Sequence, residues 1–152
     1  SSAAALEEQV LDADLIIGAV LIPGAAAPKL VGLDLVRKLQ KGSVMVDVAI
    51  DQGGCFETSR ATSYEDPTYE IEGVVHYCVA NMPGGVARTA TLAPTNATLP
   101  YVMRLADRGL DALRSDPHFA LGLNVYAGRL THQGVGEAFN FDTVSPEDAL
   151  KV

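Results

Sequence analysis

A chain of 152 residues, 48% of them hydrophobic, can build a buried core, and its length would ordinarily suggest a single domain. With 11 Lys and Arg against 19 Asp and Glu the formal net charge is -8, which removes the counterion-release drive behind most nucleic-acid binding. No apolar run reaches the roughly 18 residues that span a bilayer, and no charged region precedes a signal-peptide core, so a soluble, cytoplasmic protein without a membrane or nucleic-acid partner is expected.

Residues Ala3 to Leu11 read as a helix. Asp14 then leads into the apolar run Leu15 to Leu21, which lacks polar alternation and so suits a strand buried on both faces, stopped by Pro23 and Gly24. Between Pro28 and Gln40, Leu30, Leu33, Val36 and Leu39 recur every three residues, predicting a crossover helix closed by Lys41-Gly42 in the manner of a C-cap. A second apolar strand, Val44 to Ile50, completes a βαβ unit. The polar, glycine-containing stretch Gln52 to Pro67 reads as a long surface loop, and loops of that length are more often functional than incidental. Tyr69 to Ile71 and Val74 to Val79 form a hairpin through Glu72-Gly73.

After Pro83-Gly84-Gly85 the composition changes, which puts a domain boundary near Val86. Thr91 to Arg108 carries Leu99, Val102, Met103 and Ala106 on one helical face, with a kink expected at Pro100. A short helix with Leu110 and Leu113, a break at Asp116-Pro117, a hairpin or arm over Asn124 to His132, and helices at Gly134 to Phe139 and Pro146 to Leu150 complete the reading.

The chemistry concentrates at strand ends. Asp51-Gln52-Gly53-Gly54 follows one strand, Ala80-Asn81-Met82-Pro83-Gly84 another and Leu21-Ile22-Pro23-Gly24 a third, and open parallel sheets present ligand sites at carboxyl ends. Three strand ends sharing one crevice is the expectation. Asp51 is the candidate for chemistry, because the following glycines already supply the turn that an aspartate would otherwise cap. Asp47, one pleat from Val48 and on its opposite side, is assigned to structure, and His76, inside an apolar strand, reads as a satisfied core or interface histidine. Cys55 and Cys78 have neither metal-ligand nor disulfide-framework spacing, and no metal site is expected. Cys55 is taken as a packed small side chain rather than a nucleophile.

The Gly-x-Gly-x-x-Gly turn that opens a dinucleotide fold is missing, and Gly84-Gly85 lacks its spacing and reads as a flexible hinge. The strands present suit the second half of a Rossmann-type parallel sheet with helices on its faces, followed by a mainly helical segment. The expectation is therefore the C-terminal portion of a longer polypeptide.

Gly18-Ala19-Val20-Leu21-Ile22-Pro23-Gly24, Val46 to Gly54, His76 to Pro83 and Thr95-Asn96-Ala97-Thr98-Leu99-Pro100-Tyr101 together resemble, in order, motifs of bacterial alanine dehydrogenase. The resemblance runs from about Leu6 to Val152. It implies residues 1-86 as the C-terminal half of an NAD-binding Rossmann domain, and 87-152 as the connecting helix and C-terminal part of the substrate domain. The activity implied is reversible, NAD-dependent oxidative deamination of L-alanine to pyruvate and ammonia in a homohexamer, with the isolated fragment inactive. The family's catalytic lysine and histidine and its substrate-binding arginine fall outside this chain, and only its strand-end aspartate carries over, onto Asp51. Cofactor contacts carry over onto Val20, Leu21, Val48, Ala49, Ile50, Asp51, Val79, Ala80, Asn81 and Met82, with Ile50, Val79 and Met82 expected as apolar walls around the nicotinamide. The alternative, an NAD-binding subunit of proton-translocating transhydrogenase, tends to show glutamate where this chain has Asp51 and differs around Cys55-Phe56-Glu57-Thr58.

Overall fold

The computed structural model describes residues 2-24 and 26-151. The chain divides into two units, Ser1–Ile22 with Ala26–Gly85, and Pro23–Ala25 with Val86–Val152.

In the first unit, helix α1 (Ala3–Leu11) begins where the Ser2 hydroxyl accepts the Ala5 amide at 3.2 Å, satisfying one unpaired first-turn N–H. Strand β1 (Leu15–Gly18) pairs in parallel with β2 (Val44–Asp47), and β2 pairs in parallel with β4 (Val74–Tyr77). Strand β3 (Thr68–Ile71) closes the sheet antiparallel to β4, giving the order β1-β2-β4-β3. The predicted hairpin is present, and its turn uses positive φ at Glu72 and Gly73.

Helix α2 (Leu33–Val36) is a single turn where a full crossover helix was expected. The apolar spacing of three residues belongs to tighter turns, and beyond Val36 the bonds from Lys38 to Leu35 and from Leu39 to Val36 close three-residue loops. Leu30 is largely exposed, while Val31 is drawn into a parallel bridge with Phe56. Gly42 does not cap the helix; it sits at φ 88° and donates its amide to the Gly73 carbonyl at 2.7 Å.

Strands β1 and β2 also stop earlier than predicted, at Gly18 and Asp47 rather than Leu21 and Ile50. Val48–Gln52 wind into a 3-10 turn instead, ended by Gly53 in the left-handed region. Gly18 and Asp47 are the last register pair, so β1 has no ladder partner beyond them.

Register assigns the two sheet faces. Ile16, Met45 and His76 lie on one, and Met45 packs with Val10, Val31, Val36, Leu39, Phe56 and Val74 into the core beneath α1 and α2. Leu15, Ile17, Val44, Val46, Val75 and Tyr77 lie on the other, where none is buried. Helical cover within this unit is thus one-sided.

From Gly53 to Pro67 there is no helix or strand, and 57-67 lie exposed or half-exposed as expected of a surface loop, but the loop's first part is drawn inward. Cys55 and Phe56 have 0% and 2% exposure, and they enter the space left by the missing side chain at Gly18, where a Cβ would stand 2.3 Å from Cys55 Sγ.

In the second unit, helix α3 (Ala87–Arg108) starts before the predicted Thr91 and stays helical on both sides of Pro94 and Pro100. The Thr98 hydroxyl donates to the Pro94 carbonyl at 2.8 Å. Helix α4 (Asp111–Arg114) leads to α5 (Pro117–Ala120), capped by Asp116, whose carboxylate accepts the His118 and Phe119 amides at 3.1 Å each. Asp116 is also paired with Arg104 at 2.9 Å, which holds its carboxyl below the usual range. A short hairpin of β5 (Val125–Tyr126) and β6 (Arg129–Leu130) turns through positive φ at Ala127 and Gly128. Helices α6 (Gln133–Phe139) and α7 (Pro146–Leu150) follow, and Leu113, Ala120 and Leu150 form a small core. Among the described residues no helix is long and apolar enough to cross a membrane.

Candidate functional site

The turn after β2 is built by backbone geometry that only its glycines adopt readily. Gly53 and Gly54 have φ of 88° and 76°, so their carbonyls swing to one side, where the Lys29 ammonium takes both at 2.6 and 2.8 Å. The Ala27 amide donates to the Gln52 carbonyl at 3.0 Å, tying a second segment to the turn. Lys29 escapes sequence reasoning, since a lone lysine before an apolar segment carries no signal.

Asp47 anchors the loop from inside. It is fully buried, and its carboxylate accepts the Cys55 amide at 2.8 Å, the Phe56 amide at 3.3 Å and the Ser59 hydroxyl. A buried carboxylate surrounded by donors is structural, as its place on the strand suggested. Burial, followed by the nearby Asp47 charge, pushes the Cys55 thiol up to about 11, which leaves it a neutral packing group.

His76 is likewise satisfied within the core. Nδ1 faces the Val74 carbonyl at 2.9 Å, so that nitrogen carries the proton, and Nε2 accepts from the Thr58 hydroxyl at 2.7 Å. The ring stacks on Tyr69 with centroids 5.0 Å apart. Burial lowers its pKa, with the Val74 carbonyl and Asp47 opposing.

The ends of β1 and β2 meet in a cleft of about 410 Å³ lined by Ala19, Val20, Leu21, Val48, Ala49, Asp51 and Gln52. The third strand end joins through Asp51, whose Oδ1 accepts the Asn81 amide at 3.2 Å. Asn81 has φ 53°, a left-handed conformation that asparagine tolerates better than most side chains. Val20, Asp51 and Asn81 therefore belong to one neighbourhood.

The walls differ from expectation. Val79 has 0% exposure and Ile50 7%, and neither lines the cleft. Apolar surface at the cleft comes instead from Val20, Leu21 and Val48, with Met82 half-buried on the neighbouring turn and Ala80 exposed beside it. Gln52, part of the strand-end motif, adds a polar group to the lining. Its Nε2 donates to the Ile22 carbonyl at 3.2 Å, while Oε1 is buried with no partner among the described residues.

Gly84 and Gly85 lie in a 3-10 turn, Met82–Val86, and neither has positive φ. Close approach, not backbone freedom, explains Gly85: a Cβ there would stand 2.6 Å from the Tyr64 hydroxyl.

Comparison with known proteins places this geometry in context. The family described as "Alanine dehydrogenase/PNT, C-terminal domain" matches residues 1-133. An alanine dehydrogenase of Halomonas elongata is 63% identical over 145 residues, covering 95% of this chain and 39% of the relative. One from Staphylococcus haemolyticus is 55% identical over 148 residues, covering 96% and 40%. Among solved structures, an L-alanine dehydrogenase superposes with a TM-score of 0.77 at 56% identity, over 92% of this chain and 39% of that one. A transhydrogenase from Sinorhizobium meliloti reaches 0.66 at 25% identity, over 88% and 36%. The chain thus spans about two-fifths of the length of the curated relatives it matches.

Proposed function

The chain belongs to the alanine dehydrogenase/PNT family as its C-terminal portion, and from that premise we propose that it forms the nicotinamide side of the cleft in an NAD-dependent L-alanine dehydrogenase. On this reading residues 1-86 are the second half of the NAD-binding domain, and 87-152 are the connecting helix with part of the substrate domain. The substrates are L-alanine and NAD in one direction and pyruvate, ammonia and NADH in the other. The assembly is a cytoplasmic homohexamer, and the remaining catalytic side chains lie in the part of the relatives that this chain does not match.

One observation carries the reading: the Asp51 carboxylate stands at the rim of an apolar cleft, braced by the Asn81 amide. The residues fit a nicotinamide. A flat ring is accommodated by Val20, Leu21 and Val48. Bound NAD would supply the hydride acceptor. The chain's own part is to hold the ring, exclude water, and set a negative charge where the alanine nitrogen becomes positive. Asn81 and the backbone at Ile50, Val79 and Ala80 orient the ring and ribose.

The transhydrogenase alternative has weaker support, at 25% rather than 56% identity between this chain and the solved structure. A full-length protein carrying this chain should oxidise NADH only when both pyruvate and ammonia are present. Asp51→Asn should lower kcat about a hundredfold or more while leaving NADH affinity nearly intact, the pattern of a lost transition-state interaction. Unchanged kinetics would remove Asp51 from the chemistry, and NADH binding without turnover of pyruvate would favour the transhydrogenase reading.

A further inference from the structure

We propose that Tyr64 is a positioning residue: from the loop between β2 and β3 it fixes the turn that holds Asn81 and Met82 against the cofactor ring. The inference rests on the cofactor reading above. The Tyr64 hydroxyl donates to the Met82 carbonyl and accepts the Gly85 amide at 3.2 Å. One phenol oxygen therefore clasps the 3-10 turn Met82–Val86 at its first and fourth residues. Asp51 holds the same turn one residue earlier through the Asn81 amide, and the Asn81 carbonyl accepts the Gly84 amide at 2.8 Å.

Tyr64 is itself placed by the strand it serves. Two residues before it, the Thr62 amide donates to the Cys78 carbonyl at 2.9 Å and the Thr62 carbonyl accepts the Ala80 amide at 3.0 Å, continuing β4 as a parallel bridge. The Thr62 hydroxyl donates to the Pro67 carbonyl at 3.0 Å, which closes the loop on itself. Tyr64 is 50% exposed, so it contributes little to the core, and its hydroxyl is the part that acts. Gly85 supplies an independent observation, since any side chain there would push the hydroxyl away. Loosening this turn would let the ring drift from the hydride-transfer distance, and such displacements are costly even when binding survives.

The test uses the full-length protein with Tyr64→Phe, Gly85→Ala and the double variant. Four quantities are read: kcat and KM for alanine, nicotinamide fluorescence of bound NADH, amide hydrogen exchange over residues 81-86, and Tm. Each single variant should lower kcat about tenfold, in the range expected for a slightly misplaced reactant. Exchange over the turn should quicken, KM and Tm should hold close to wild type, and the double variant should be no worse than either single one. A fall in Tm with kcat unchanged would overturn the proposal as a merely structural effect, as would wild-type exchange and kcat together, or additive losses in the double variant. Should the wild type bind NADH without turning over alanine, the dehydrogenase reading falls alone. Tyr64 is then judged by fluorescence and exchange, whose change in Tyr64→Phe supports the proposal and whose constancy overturns it. Absence of NADH binding in the wild type overturns both.

Discussion

Two aspartates, Asp47 just before a 3-10 turn and Asp51 within it, do different work because their surroundings differ. Asp51 is exposed at a cleft, whereas Asp47 is buried among the Cys55 and Phe56 amides and the Ser59 hydroxyl. Asp47→Ala would strand those donors without water, so the unfolding free energy from urea titration should drop by about 3 kcal/mol or more. A loss below about 1 kcal/mol, the worth of an ordinary exposed contact, would mean that the loop is held by something else. His76 makes a pH prediction from the same pocket. Its folded pKa is lowered by burial, so as pH falls the unfolded chain takes up the proton first. Stability from the neutral ring is complete above the unfolded value of about 6.5 and is lost as pH drops through it toward the folded value. Tm of the wild type should therefore fall more steeply than that of His76→Gln between about pH 7.5 and 5, and parallel curves would exclude His76.

At the scale of elements, legibility followed how local the cause is. Helix α1 was readable from its own residues, and the β3–β4 hairpin from two β-rich runs around Glu72-Gly73. At the short α2, apolar residues every three positions imitate a helical face, while the segment turns with three-residue bonds and sends Val31 to Phe56. Burial of Cys55 and Phe56 was invisible, since it depends on the space at Gly18 and on a carboxylate from another element. For the same reason the strand-end Asp51-Gln52 motif is legible at the site, but the Lys29 clamp and the Tyr64 brace are not. Helix α3 shows the opposite case, a pattern with little intrinsic stability. It has no buried residue and contains two prolines, each of which deprives a carbonyl one turn back of its donor. A peptide of Ala87–Arg108 should show little helical circular dichroism alone, and replacing Pro94 and Pro100 by Ala should raise the signal clearly. Strong helicity in the native peptide would show that local sequence, not packing, forms α3.

For the molecule as a whole, the decisive quantity is apolar surface without cover. On the first unit's sheet, Leu15 and Ile17 are 55% and 62% exposed, and they share their face with Val44, Val46, Val75 and Tyr77. Parallel strands are ordinarily covered on both faces, and β1 also offers an unpaired edge among the described residues. In the second unit Leu92, Leu99, Val102 and Met103 of α3 are each at least half exposed. Apolar area on this scale costs about 25 cal/mol for every Å² left in water, and a contiguous patch of several hundred Å² is unusual on a monomer. The 152-residue chain alone should therefore bind 1-anilinonaphthalene-8-sulfonate strongly and sediment as concentration-dependent oligomers. Ile17→Lys should reduce both effects by placing a charge on the open face beside the free edge. A sharp, reversible and monomeric thermal transition in the unmodified chain would instead mean that these faces find cover within the 152 residues themselves. The sheet would then be a finished unit rather than one wall of a larger nucleotide-binding fold.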